Sequence, residues 1–259
     1  MNEENLIKYY NKFNEDKRLT RRRGEIEFIT SMKYIHEYLK KGNKIIDIGA
    51  GTGRYSVPLS EEGYDVTSVE LVKHNIKQIE QKNKNIKTIL GNAKDLSIIE
   101  DNTFDLTLIF GPMYHLITKE EKIKALYEAK RITKKDGIIM IAYCMNDYAI
   151  ITHGFIDNYI KECIKNNEID SSFHITPKKT DLYSRLTLPE INELNKITNL
   201  KRIKIISTDG PANYIRKSLN KMDDETFELF IKYHLTTCER KDLIGAGTHT
   251  LDILKNTKN

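Results

Sequence analysis

Apolar positions along this chain recur with two different periods. Short apolar runs at 44–48, 65–69, 86–90, 104–110 and 137–143 read as strands, and the stretches near 54–62, 73–82 and 119–133 read as helices between them. Strands alternating with helices over 45–145 predict βαβ units and a parallel sheet. Ahead of the first strand, Ile26, Ile29, Met32, Ile35 and Leu39 recur at helical spacing, so 25–40 is expected as an amphipathic packing helix. After 146 the pattern changes. Residues 150–165 read as one helix, and 166–188 are polar and aperiodic, punctuated by Pro177 and Pro189. This segment is expected to be an insertion that acts as a lid. A helix at 189–197, a strand at 202–207 broken by Asp209-Gly210-Pro211, a helix at 223–239 and a strand at 248–254 follow.

The most specific local signal is Ile45-Ile46-Asp47-Ile48-Gly49-Ala50-Gly51-Thr52-Gly53-Arg54, an apolar strand that breaks into three alternate glycines. Such glycines let a ligand lie directly on the main chain where a strand hands over to a helix. A dinucleotide turn would place its last glycine where Arg54 stands. Asp47, at the strand end, would be poorly placed beside a pyrophosphate but favours a ligand carrying an ammonium. S-adenosylmethionine (SAM) has that ammonium and no phosphate. Glu70 closes the next strand at the distance where such folds put a carboxylate on ribose hydroxyls, which suits NAD or SAM alike.

Together these segments resemble a class I SAM-dependent methyltransferase, in order through most of residues 45–145. Asp47-x-Gly49-x-Gly51-x-Gly53 resembles the family's first motif and Glu70 its ribose-binding acid. Gly91-Asn92-Ala93 resembles the adenine-binding Gly-Asp-Ala, with Asn92 in place of the usual Asp. Residues 104–110 resemble the fourth strand, and 126–137 the helix and turn before the fifth. Gly111-Pro112-Met113-Tyr114-His115-Leu116 resembles a group of bacterial methyltransferases whose acceptors are mostly unassigned. The resemblance implies a Rossmann-like α/β fold, a mostly parallel seven-stranded sheet with an antiparallel last strand and helices on both faces. One domain, 1–259, is expected: an N-terminal helical segment (1–40), a SAM-binding core (41–146), the lid (147–188) and a C-terminal part (189–259). Cofactor contacts are expected from Tyr10, Asp47, Gly49, Ala50, Gly51, Gly53, Glu70, Leu71, Asn92, Ala93 and Gly111, with S-adenosylhomocysteine (SAH) as product.

In an open parallel sheet, ligands bind beyond the carboxyl ends of the strands, so the residues after each strand are the candidates for chemistry. His115 follows strand four. It is either a general base, since its ordinary pKa lies near neutrality, or a helix-start histidine bonded to backbone. Tyr114 is a candidate to orient the acceptor or to shield the sulfonium with its ring face, and Tyr143 has the same options beside plain core packing. Tyr9, Tyr10 and Phe13 form an aromatic cluster that folds over the cofactor or simply packs. Cys144 reads as a small buried residue. His153, His174, His234 and His249 lack metal-ligand spacing and read as structural or surface residues.

Composition narrows the rest. With 39% hydrophobic and 31% charged residues and no apolar run near the ~20 needed to span a bilayer, the chain reads as an ordinary globular protein without a membrane partner. The polar start Met1-Asn2-Glu3-Glu4-Asn5 is not a signal sequence, and three scattered cysteines fit unpaired thiols in a cytoplasmic setting. The basic run Lys17 to Arg23 is the argument for nucleic acid, but no aromatics interleave it, which favours a solvated face. Gly111 offers no side-chain carbonyl to an exocyclic amine, so a base-amino methyltransferase is disfavoured. The leading expectation is methyl transfer to a small-molecule acceptor. RNA or protein acceptors, and a SAM-binding regulator without transferase activity, are the alternatives.

Overall fold

The computed structural model describes residues 6–7, 9–10, 21–83, 85–178 and 180–257; Phe13 and the Lys17 to Thr20 part of the basic run lie outside the described residues. Seven strands form one sheet: β1 (Lys44–Ile48), β2 (Asp65–Glu70), β3 (Lys87–Leu90), β4 (Phe104–Ile109), β5 (Thr133–Cys144), β6 (Lys201–Ser207) and β7 (His249–Lys255). Their spatial order is β3-β2-β1-β4-β5-β7-β6, parallel except for β7, which runs antiparallel to both neighbours. The chain leaves β1 for β2 on one side and later places β4 on the other. The gap beyond the end of β1 is therefore a topological switch point, where such sheets leave a crevice.

The inner strands are buried on two faces, and the two-residue period sorts their side chains between them. Ile46, Ile48, Ile109, Ile139 and Ile141 pack on one face against α4 (Lys119–Ile132) and α7 (Leu188–Thr198) through Leu126, Ile132, Ile191 and Leu194. Ile45, Leu106, Leu108 and Met140 pack on the other against α1 (Arg22–Tyr38), α2 (Ser56–Glu61) and α3 (Lys73–Lys82) through Ile35, Leu59 and Ile79. Tyr143 shares the parity of Ile139 and Ile141 and sits in the first of these cores, 1% exposed.

The expected single helix at 150–165 is two pieces. A short helix α5 (Asn146–Ala149) runs on as a wide turn over Ile150–Ile156, breaks at Asn158 with φ of 63°, and restarts as α6 (Ile160–Lys165). Two causes are visible. Thr152 Oγ1 donates to the carbonyl of Tyr148 at 2.7 Å, a bond that competes with the regular ladder. Gly154 lets α6 fold back closely, since a Cβ there would lie 3.0 Å from Ile160 Cδ1. Between β6 and β7 the excursion holds two helices, α8 (Arg216–Leu219), which the sequence pattern does not reveal, and α9 (Asp224–Thr237), capped by Asp223 accepting from Thr226 N–H. No helix among the described residues is long and apolar enough to cross a membrane.

Two arginines of the basic run serve this packing, while Arg21 is exposed. Arg22 donates to the carbonyl of Met222, pairs with Asp224 at 2.8 Å and lies over the Phe227 ring, while Arg23 donates to Asn213.

Inside the sheet, Asp252 is fully buried and accepts from Arg202 Nε at 2.6 Å, Arg202 Nη2 at 2.7 Å and Asn195 Nδ2 at 2.6 Å. Removing the cation would strand a buried carboxylate, a loss of about 3–5 kcal/mol. Arg202→Met is accordingly expected to lower the urea midpoint sharply, and Arg202→Lys to recover only part of the loss, because one ammonium replaces a two-pronged contact.

Candidate active site

The register sets Ile48 of β1 level with Val69 of β2 and Ile109 of β4, so three strand ends open on one crevice. Here the chain turns through Gly49, Gly51 and Gly53 at φ of 74°, 56° and 87°. The N–H groups of Gly49 and Ala50 both donate to the Val69 carbonyl, pinning the turn to the end of β2. Each glycine answers a different demand. A Cβ on Gly49 would lie 2.5 Å from Pro112 Cδ, and one on Gly111 would lie 3.1 Å from the Gly49 carbonyl oxygen, so the loops after β1 and β4 interlock. A Cβ on Gly53 would strike Val57 at 2.9 Å; that glycine packs a helix and does not line the cavity. A Cβ on Gly51 would meet nothing within 4 Å, and that face is cavity wall.

Two carboxylates underlie this turn. Asp47, 1% exposed, accepts from Ser56 Oγ at 2.6 Å, and Ser68 Oγ donates to Ser56 in turn at 2.8 Å. Burial pushes the Asp47 carboxyl up to about 6; the Ser56 bond opposes the rise and the charge of Glu70 adds to it. Glu70, 6% exposed, accepts the N–H groups of Gly51 and Val72, each at 2.8 Å. Burial raises its pKa too, against those donors. At the far side of the same wall, Asn92 Oδ1 accepts the Lys94 N–H at 3.0 Å, closing a tight turn that sets Ala93 beside Gly91 and Leu71.

The cavity continues past Gly111 into a second, aromatic end walled by Tyr10, Tyr55, Phe110, Tyr114 and His115. His115 has both ring nitrogens engaged: Nδ1 donates to the Leu182 carbonyl at 2.8 Å, and Nε2 meets the Tyr10 hydroxyl at 2.8 Å. The Ser184 N–H donates to the Tyr114 carbonyl. Residues 182–184 and Tyr10 are thus both tied to the turn after β4. Of the expected site residues, Tyr10, Asp47, Gly49, Ala50, Gly51, Glu70, Leu71, Asn92, Ala93, Gly111, Tyr114 and His115 line one cavity. Tyr143 and Gly53 stand outside it.

His249, expected to be structural or on the surface, lines this cavity, as do Glu27 and Tyr55. The reason is strand direction. Because β7 is antiparallel, its first residue pairs with Cys144, the last of β5. The beginning of β7 therefore lies at the same edge as the ends of the parallel strands. An expected antiparallel last strand, followed through, would have pointed to the residues at the start of that strand and not to those after its end.

The sequence pattern of the methyltransferase domain family matches residues 46–141. That stretch spans β1 to the middle of β5 and holds Asp47, the glycine turn, Glu70, Asn92 and His115. It is a methyltransferase domain, and its cofactor is SAM. No sequence among the curated proteins matches. Solved structures do. A SAM-dependent methyltransferase from Methanosarcina mazei is 16% identical with a TM-score of 0.60, over 87% of this chain and 98% of that one. A protein from Thermotoga maritima described as a possible histamine N-methyltransferase is 17% identical with a TM-score of 0.61, over 97% and 99%. The geranyl diphosphate C-methyltransferase of Streptomyces coelicolor A3(2), solved with SAH, is 12% identical with a TM-score of 0.54, over 87% and 78%. At such identities the likeness is one of fold.

The residues present fit SAM. Two buried acids favour a ligand that offers an ammonium and hydroxyls and would repel a pyrophosphate, and the open face of Gly51 leaves room against the backbone. The ligand-free methyltransferase must bear the cost of holding Asp47 ionised. Its folded pKa, about 6, lies above the ordinary 3.8, so its stabilising contribution is complete below about pH 4 and is lost as pH rises through 6. Asp47→Asn, which keeps a Ser56 acceptor, is therefore expected to raise the melting temperature of the ligand-free protein at pH 7. The gain is at most about 3 kcal/mol and should vanish by pH 4, measured by thermal unfolding at both pH values.

Proposed function

We propose that this methyltransferase transfers the methyl group of SAM to a small-molecule acceptor held at the aromatic end of the cavity. The observation that carries the reading is the continuity of that one cavity. It joins the glycine turn and the buried carboxylates to a compartment walled by Tyr10, Tyr55, Phe110 and Tyr114, and His115 in the same wall is bonded to Tyr10 and to the Leu182 carbonyl. A compartment walled by aromatic rings suits a compact acceptor better than a polymer. Arg22 and Arg23, two cations of the basic run, are engaged within the fold, which takes them away from a nucleic-acid surface. The fold neighbours from Thermotoga and Streptomyces carry names that refer to small acceptors, which agrees with this reading.

In this reading Glu70 receives the ribose hydroxyls. Its oxygens accept the Gly51 and Val72 N–H groups, with the Leu71 N–H and the Asn75 side chain also bonded to the carboxylate, and it lines the cavity. Asp47 faces the methionine ammonium, and Leu71, Asn92 and Ala93 border the adenine. Bound SAM supplies a methyl already activated on a sulfonium, so the chain's task is positioning and exclusion of water. Tyr10, through His115, closes the methionine end, and the segment 147–188 serves as lid over the acceptor. His115 holds that closure together; with both nitrogens occupied it is a poor proton acceptor, and Tyr143, inside the core, takes no part.

The test is transfer of labelled methyl from SAM into a cell extract fractionated into small molecules, RNA and protein, with Glu70→Ala as the blank. Label above the blank in the small-molecule fraction is the expected result. Label confined to RNA or protein would contradict the proposal, and SAH binding without label in any fraction would favour a non-catalytic SAM-binding role.

A further inference from the structure

The aromatic end of the cavity holds a second histidine whose surroundings differ from those of His115. His249 Nδ1 lies 3.0 Å from Asp209 Oδ2 and 3.8 Å from Glu27 Oε2. Asp209 is itself fixed, since its Oδ1 accepts the N–H groups of Thr248 and His249, each at 3.1 Å. The turn is tight enough that a Cβ on Gly247 would lie 2.6 Å from Ser207 Oγ and 3.2 Å from Asp209 Oδ1. The ring stacks at a tilt on Tyr114, centroids 5.4 Å apart. With Nδ1 held by Asp209, Nε2 has no hydrogen-bond partner among the described residues, on a side chain that lines the cavity.

We propose that His249, oriented by Asp209, takes the proton of the methyl acceptor, and that the acceptor is a small molecule whose nucleophilic atom carries a proton: a hydroxyl, a thiol, or a primary or secondary amine. The proposal rests on the methyl-transfer reading above. In the step, the acceptor heteroatom forms its bond to the methyl carbon while the carbon–sulfur bond breaks and its electron pair stays on sulfur. The heteroatom's proton passes to Nε2. The positive charge that leaves sulfur reappears on the imidazolium, between Asp209 and Glu27, and net charge in the cavity is conserved. Asp209 is a positioning residue: an acceptor at Nδ1 keeps that proton in place and leaves Nε2 as the basic nitrogen.

The groups facing the ring are Glu27 from α1, Asp209 from the loop after β6, Cys144 at the end of β5 and Tyr114 from the turn after β4. Burial by itself would lower the pKa of His249. Glu27, Cys144 and Asp209 outweigh it and hold the pKa well above the ordinary histidine value. A sulfonium brought into the same cavity opposes positive charge on the ring and shifts it toward the neutral, proton-accepting form when the methyl donor is present. SAH, whose sulfur is neutral, lacks this effect.

This difference gives a test that needs no acceptor. Ring resonances of the seven histidines would be followed by NMR from pH 5.5 to 9 in the wild-type protein, alone and saturated with SAM or with SAH. His249 is assigned by the signal lost in His249→Gln and, independently, by the signal that titrates lower in Glu27→Gln. The expected result is a His249 pKa about one pH unit lower in the SAM complex than in the SAH complex. Equal His249 values in the two complexes would overturn the proposal, because the ring would then not face the reacting sulfur. Absence of binding by either ligand would instead refute the cofactor reading beneath it, a separate failure seen in the same samples.

Discussion

The site depends on keeping two carboxylates out of water at the ends of adjacent parallel strands. Asp47 and Glu70 repel each other and have lost most of their hydration, and burial drives both pKa values upward. They persist because each is held by donors. Glu70 takes the Gly51 and Val72 N–H groups, which shapes the glycine turn after β1 and the entry to α3; Asp47 takes the Ser56 hydroxyl, which fixes the start of α2. With the turn in place, Gly49 seats Pro112, and Pro112 begins the short turn that carries Tyr114 and His115. The glycine-turn end and the aromatic end of the cavity are therefore consequences of one desolvated pair.

The aromatic end has its own dependence, the reversal of β7. Pairing the antiparallel strand between β5 and β6 brings His249 beside Cys144 and sets the loop after β6, with Asp209, against the same opening. The buried Arg202–Asp252 contact ties β6 to β7 deeper in the sheet. Stability of that strand pair and placement of the second histidine are thus linked, although the two sites share no residue.

Much of the architecture is legible from the sequence, because strands covered on both faces leave nearly uninterrupted apolar runs that no amphipathic helix would share. The bounds of β1 and of α3 are those the pattern gives. Elements with weaker patterns are less legible. The break at Asn158 depends on a hydroxyl-to-carbonyl bond and on the close approach of α6 to Gly154, neither of which alters hydrophobic periodicity. In the site, the glycine turn and its two acids are legible since their chemistry is local in sequence. Tyr143 is misplaced by the rule that chemistry follows a strand: it belongs to the strand, and its parity turns it inward with Ile139 and Ile141. His115 could be located but not assigned, because the groups occupying its nitrogens, Tyr10 and Leu182, lie 105 and 67 residues away. Glu27 and Asp209 carry no local signal at all; only the tertiary fold brings them to His249.

The central claim, that a desolvated carboxylate pair is held ready for a cationic, phosphate-free ligand, is tested most directly by the pH dependence of SAH affinity in titration calorimetry. Asp47 must be ionised to meet the ligand ammonium, and in the free protein its pKa is about 6. Affinity should therefore be constant above pH 7 and weaken below 6, approaching tenfold per pH unit, and in Asp47→Asn it should be weak with most of that dependence gone. An SAH affinity that stays level from pH 7.5 to 5, in a protein that remains folded throughout, would contradict the account.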